Sequence, residues 1–482
     1  MFQLPRRLAP VALLCFASGV VFAAAPTKKP ASDPSNILAR GLFKQLIEIN
    51  TTDSEAGSVT AAAEAMQKAL LDAGFPAADV QVLGPNDRKK NLVARLRGTG
   101  KHKPVLLIGH LDVVEARRED WTTNPFEFVE KDGYFYGRGT QDMKDGDAIM
   151  TATLIRLKKE NFRPSRDIIL ALTADEEGGK SNGVDWLFKN HRELVDADFV
   201  LNHDGASVPA DKGKPLAYEM GSSEKVYADY LLTTTNPGGH SSRPKEENAI
   251  YELTEGLNRL AKYEFPFELT NVTRAYYQSM SKIEKGQRSA DMLAITKDPP
   301  DMDAVARISK DPTDHSTLRT TCVATRLSGG HANNALPQRA QANVNCRILP
   351  GHSPEEVRQD IIKVLASPKI TVQYVADDGT VLEKASDRKG FPPPPLRPEV
   401  MKPLQKLVGE YWPGLQIVPT MSIGASDDVW VNAAGLTSYT VTGISIDRDD
   451  ERAHGQDERL RTESFYTGNE FFYQYVKALT AK

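Results

Sequence analysis

The sequence predicts an α/β fold: a mostly parallel sheet covered by helices on both faces, interrupted by a smaller inserted α+β domain. Three observations predict it. Short, continuous apolar runs alternate with helical patterns over 36–202, the signature of strands buried on both faces. Beyond Lys212 the texture changes to the two-residue alternation of half-buried strands. After the Pro-rich stretch 392–395, a rigid connector, helix and strand patterns return. The expected division is a main domain whose first part covers 35–211 and whose second part covers 391–482, with an insert over 212–390.

In chain order, 1–25 is a separate object. Arg6 and Arg7 precede an apolar stretch over 8–22 that is broken by Pro10 and Gly19, and Ala23, Ala24 and Ala25 supply a small-residue cleavage site. This is the pattern of a secretory signal peptide, and the stretch is short of the roughly 20 apolar residues a membrane anchor needs. A secreted or periplasmic protein is expected, with a flexible leader to about Pro34. Residues 37–49 and 58–73 carry apolar side chains at helical spacing. Residues 105–109, 168–174 and 199–201 read as buried strands, and 148–158 as a helix. In the insert, 225–235 alternates, 249–262 and 354–365 are helical, 320–327 and 339–349 form an antiparallel pair, and 370–375 is a last strand. The stretch 264–318 has no clean period. A closing helix covers 463–479.

The composition, 40% hydrophobic and 26% charged with a net charge of -4, is that of a soluble globular protein. It gives no electrostatic reason to expect nucleic acid or an anionic membrane as partner. Beyond the leader only Cys322 and Cys346 occur, too few for a thiolate zinc site. They lie symmetrically about a turn near Asn334. A bridge across the hairpin and two buried thiols both fit, and export permits the former.

Five separated segments carry chemistry: His110-Leu111-Asp112, the Gly-rich stretch from Gly137 to Lys144 that contains Asp142, Asp175-Glu176-Glu177, His203-Asp204 and Ala453-His454-Gly455. Carboxylates and imidazoles are ligands that zinc accepts. In open α/β sheets such groups gather at the carboxyl ends of strands, where His110, Glu176, Glu177 and Asp204 all stand. Asp112 is placed to turn back and accept the other N–H of His110, fixing its tautomer. Asp142 is placed to bridge two cations, or simply to cap the following helix. Adjacent Glu176 and Glu177 allow one to bind metal while the other stays free as a base. Neighbouring strand side chains point opposite ways, so one of His203 and Asp204 faces the site; either type binds metal. Arg138 and Lys144 read as solvated groups or partners of nearby acids.

These segments resemble the zinc aminoacylase/carboxypeptidase superfamily of metallopeptidases, the group of glutamate carboxypeptidase, carnosinase-like dipeptidases, acetylornithine deacetylase and succinyl-diaminopimelate desuccinylase. The resemblance covers nearly all of the chain beyond the leader. It implies a catalytic domain with an inserted ferredoxin-like lid that serves as a dimerisation domain. It implies two Zn2+ per subunit: one held by His110, Asp142 and Asp204, the other by Asp142, Glu177 and His454. Glu176 would be the general base and Asp112 the carboxylate behind His110, with a cis peptide after Asp142. In the lid, Gly238-Gly239-His240-Ser241-Ser242 resembles the family's histidine segment, so His240 would stabilise an oxyanion. Asn334 and Arg347 match its Asn-x-x-Pro and Asp-x-Arg segments, with Asn345 where Asp is usual, and Ser426 lies in a matching catalytic-domain loop. Arg347 would take a substrate carboxylate through its planar fork.

The implied reaction is amide hydrolysis. Export favours a carboxypeptidase or dipeptidase acting on peptides with a free carboxylate. An N-acyl amino acid deacylase is the runner-up, and an inactive, metal-stabilised peptide-binding protein is the reading from another class. The partners expected are a small peptide or N-acyl amino acid and a second copy of the chain through the lid, with neither nucleic acid nor a stable membrane anchor.

Overall fold

The structure, a computed structural model, describes residues 29–481 apart from 206, 377 and 388. The signal peptide expected over 1–25 lies outside the described residues. The flexible leader expected to reach Pro34 is already tied down at Lys29, whose ammonium lies 3.0 Å from Glu470. The first helix, Pro34–Ile47, follows at once, capped by Asp33. Among the described residues no helix is long and apolar enough to cross a membrane.

A six-stranded sheet forms the main domain. Val105–His110 lies at its centre, parallel to Ile168–Thr173 on one side and Phe199–Asn202 on the other. Ser438–Thr440, from the C-terminal part, extends the sheet in parallel beyond Phe199–Asn202. The other edge is antiparallel: Asn91–Leu96 pairs with Ile168–Thr173, and Val80–Leu83 with Asn91–Leu96. Both faces are covered, as the apolar runs require. Val105 and Leu107 join the core formed with the helices Pro34–Ile47, Val59–Asp72, Lys144–Lys159 and Thr462–Thr480. Leu106 and Ile108 pack on the opposite face against Val184, Leu187 and Phe188 of Gly183–Asn190. This is the two-residue alternation of a strand read out in packing. The parallel strands end together, so His110, Thr173 and Asn202 share one edge.

The inserted sheet is antiparallel, in the order Thr321–Gly329, Arg339–Ile348, Val226–Thr235, Ile370–Val375, Val381–Leu382. The helices Ala249–Lys262 and Pro354–Leu365 cover one face, where Leu253, Leu260, Ile361 and Leu365 meet Tyr230, Leu232 and Val344. This is the ferredoxin-like arrangement. Cys322 and Cys346 are direct cross-strand partners and form a disulfide. Tyr218–Glu224, on the insert side of the boundary expected at 212, pairs in parallel with Ile417–Ser422, and Tyr218 and Met220 enter the main core.

The stretch without a clean period is a group of short helices: Asn271–Met280, Gly286–Ala294, Met302–Ile308 and Pro312–Thr317. None is long enough for a periodic stripe to stand out. Their readable signals are the caps, since Thr270, Asp301 and Asp311 each accept from first-turn N–H groups. Tyr277, Met280, Met292 and Ile308 pack there with Ala217 and Val418, joining this group to the strands beside the main sheet.

Candidate metal centre

His110 ends the central strand and is buried. Its Nδ1 lies 2.9 Å from the backbone carbonyl of Asp112, which fixes the ring so that Nε2 faces the sheet edge. The carboxylate of Asp112 does not supply that bond; its nearer oxygen is 3.9 Å from Nδ1. It accepts instead from the N–H groups of Glu176 at 3.2 Å and Glu177 at 3.0 Å. The expected Asp112–His110 pairing is thus corrected. Two backbone donors in the adjacent turn would otherwise be unsatisfied at a buried place, and they claim the carboxylate.

Asp142 lies in the Gly-rich loop before Lys144–Lys159, and the peptide bond Asp142–Met143 is cis. The loop needs glycine: Gly139 has a φ of 91°, and a Cβ there would lie 2.8 Å from the Lys144 side chain. Oδ1 of Asp142 is 3.0 Å from Nε2 of His110, and Oδ2 is 3.1 Å from Nε2 of His454. Oε1 of Glu177 is 3.0 Å from the same His454 nitrogen. Ligand atoms of His110, Asp142 and Glu177 all lie within 4.8 Å of one another. Glu176 places Oε2 4.0 Å from Nε2 of His110. Among the described residues its carboxylate has no hydrogen-bond donor, so it is free to handle protons.

His203 turns away from this cluster. Nε2 lies 3.2 Å from Oγ1 of Thr442, the ring meets Phe472 edge-on, and burial lowers its pKa to about 4. Asp204, one residue on, is half-buried at the strand end, and its N–H donates to Asn202 Oδ1 at 3.0 Å. Burial, then the charges of Asp142 and Glu177, raise its carboxyl to about 7. Burial likewise holds Glu176 well above the usual range, with Asp204, Asp427 and Glu177 adding to the effect. Hydrogen bonds to Asp142 and Glu177 raise His454 to about 10. These are the marks of a concentrated negative charge without enough cation to balance it. Two imidazoles and several carboxylates at this spacing form the oxygen and nitrogen donor set that suits zinc and similar divalent ions, and the group fits.

The expected lid residues are not joined to the cluster by any hydrogen bond or ion pair among the described residues. His240 is exposed on Gly239–His240, which pairs with Ala335–Leu336, and its Nδ1 accepts from the Ser242 N–H at 3.2 Å. Asn334 is beside it, its carbonyl accepting from the Ser241 N–H at 3.0 Å. Arg347 lies in Arg339–Ile348 with its guanidinium 4.8 Å from the Tyr227 ring centroid. Asn345 does not support it, because Nδ2 of Asn345 donates to Asp229 at 3.0 Å. Ser426 donates its N–H and hydroxyl to Glu224 at 3.1 and 3.0 Å.

Arg138 and Lys144 are not solvated. Arg138 pairs with buried Glu458 at 2.7 Å, and the buried Lys144 ammonium donates to the carbonyls of Leu46 and Ile49, both at 2.9 Å. The sequence reading missed Glu458, Gln141 and Asp427. Asp427 accepts from Thr173 Oγ1 and Asn182 Nδ2 at 3.2 and 2.6 Å, behind the strand end. The one signal for Glu458 was an acid four residues after His454.

Known proteins resemble this chain in sequence and in fold. The chain is 28% identical over 385 residues to the probable carboxypeptidase S-like 2 of Dictyostelium discoideum, covering 78% of this chain and 71% of that one. It is 28% identical over 392 residues to the human N-fatty-acyl-amino acid synthase/hydrolase PM20D1, covering 78% and 74%. Its fold superposes on the M20 family metallo-carboxypeptidase Sso-CP2 from Sulfolobus solfataricus with a TM-score of 0.67 at 18% identity, over 93% of this chain and 99% of that one. The family model of peptidase family M20/M25/M40 matches residues 106–478. The chain therefore belongs to peptidase family M20/M25/M40 and is a hydrolase of that family.

Proposed function

We propose that the protein is an exported, two-zinc hydrolase that cleaves the C-terminal amide bond of small peptides carrying a free carboxylate. The observation that carries this reading is the placement of Glu176, a half-buried carboxylate without a donor among the described residues, 4.0 Å from His110. His110, Asp142 and Asp204 would hold one ion, and Asp142, Glu177 and His454 the other. Bound divalent ions supply Lewis acidity and a more acidic attacking water. Glu176 takes the proton of that water and returns it to the leaving amine. Asp112 holds the 176–177 turn through its two N–H groups, which keeps Glu176 oriented. Arg347 fixes the substrate carboxylate and His240 stabilises the oxyanion, on a lid that pairs with a second copy.

A second reading, hydrolysis of N-acyl amino acids, is favoured by the similarity to PM20D1. The test is a screen of the zinc-loaded protein, residues 26–482, on dipeptides and N-acyl amino acids, scoring free amino acid released. Faster release from peptides supports the first reading, and faster release from N-acyl amino acids supports the second. A protein loaded with two ions that cleaves neither class would be a binding protein.

A further inference from the structure

We propose that Gln141 and Glu458 form a reciprocal clasp that sets the separation of Asp142 and His454, and so tunes the affinity of the ion those two residues share. The inference rests on the two-ion reading above. Glu458 is fully buried, yet its carboxylate points back to the loop that carries Asp142. Oε2 accepts from Arg138 Nη1 at 2.7 Å and from the Gly139 N–H at 3.0 Å. Oε1 accepts from the N–H groups of Gln141 at 2.6 Å and Asp142 at 3.2 Å. An acid from the loop after His454 thus fixes the backbone of the loop before it in space.

Gln141 makes the reverse connection. Its Oε1 accepts from the N–H groups of Arg452 at 2.7 Å and Ala453 at 3.0 Å, the two residues before His454. Its Nε2 donates to the carbonyls of Asp450 at 3.0 Å and Arg459 at 2.8 Å. Both donor hydrogens and both acceptor positions of the amide are used, all on one partner segment. A Glu at this place would face two carbonyls without a hydrogen to give.

His454 needs such a support. Its side chain is 53% exposed, so little packing holds it, and its φ of 62° is left-handed, which a residue with a Cβ rarely adopts unaided. The hydrogen bonds to Arg452 and Ala453 hold the backbone immediately before that residue. Glu177, the other contact of His454, comes from a different loop that the clasp does not touch. Gln141 and Glu458 are therefore positioning residues: neither side chain reaches the ligand cluster, and both act through the backbone of residues that do.

The test is Zn2+ titration of the metal-free full chain against a chromophoric chelator, with His454→Ala marking the curve of a protein that lacks the second site. Gln141→Met keeps the side-chain volume and removes all four bonds. It should bind the first equivalent as the wild type does and the second about 10–100-fold more weakly, the usual cost of losing a group that orients a ligand. Glu458→Gln, which retains one acceptor, should fall between wild type and Glu458→Ala. Where Glu458→Ala fails to fold, Gln141→Met still decides. Unchanged affinity for the second equivalent, or equal weakening of both, would overturn the clasp. A wild type that binds fewer than two ions would instead overturn the two-ion reading, and the clasp with it.

Discussion

Asp142 divides its carboxylate between two histidines: Oδ1 lies 3.0 Å from Nε2 of His110, and Oδ2 lies 3.1 Å from Nε2 of His454. The two-ion reading proposed above rests on this division of one carboxylate between two imidazoles. The expected consequences can be measured separately.

Glu176→Gln keeps the size and removes the proton acceptor. Turnover should fall about 10²- to 10⁴-fold, while the protein retains the wild-type ion content by atomic emission. Normal turnover in this variant would remove Glu176 from the role of base.

Removal of His454 should cost one ion, not two. On the proposed assignment His110 and Asp204 remain for the first position, so His454→Ala should bind about one equivalent of zinc with its fold intact by circular dichroism. Full chelation should abolish hydrolysis, and added Zn2+ should restore it in the wild type alone.

Arg347→Met should raise KM about 10–100-fold for substrates with a free carboxylate, since a charge-assisted hydrogen bond contributes about 1.5–3 kcal/mol. The matching amidated substrates should lose far less. Arg347→Lys should restore little, because a point charge does not reproduce the planar fork. Equal losses on both substrate types would place Arg347 outside carboxylate recognition.

The Cys322–Cys346 disulfide closes a chain segment with a sequence separation of 24. On loop-closure entropy it should stabilise the lid by about 3 kcal/mol. Denaturant unfolding with and without reductant should show that difference in the wild type and none in a Cys322→Ser/Cys346→Ser variant.

Glu355 accepts from Nε and Nη2 of Arg358, both at 2.8 Å, and from the Ala385 N–H at 2.8 Å. The Arg358 bonds come first among the causes that lower its carboxyl from 4.5 to about 2. A carboxyl lowered by folding stabilises above its unfolded pKa and loses that contribution as pH falls through its folded one. Glu355→Gln should therefore destabilise the lid by about 1–2 kcal/mol at pH 7. The gap between variant and wild type should close between pH 4.5 and pH 2. A gap independent of pH would mean that lost packing, not lost charge, explains the cost.

Much of this was legible in the sequence, for reasons tied to particular residues. The strand read at 105–109, which the structure extends to His110, announced itself because a strand buried on both faces carries a continuous apolar run. Ala249–Lys262 did so because its buried positions, Leu253, Gly256 and Leu260, recur at helical spacing. The antiparallel pair 320–349 put Cys322 opposite Cys346 by simple counting, and the register holds up to a bulge between Ala324 and Arg326. The edge strand Val80–Leu83 and its neighbour Asn91–Leu96 were not read, since each is short and mixes polar with apolar residues.

Hydrophobic period and residue type are local properties, so the long strands and helices, and the acids and histidines at strand ends, could be read along the chain. Only the tertiary structure decided who meets whom. It gave the Asp112 carboxylate to two backbone amides rather than to His110. It turned His203 into the core, against Thr442 and Phe472. It brought His454 within 3.0 Å of Glu177, 277 residues away. Such pairings follow from unsatisfied donors and crowded charges after the chain has converged, and no periodic pattern along the chain encodes them.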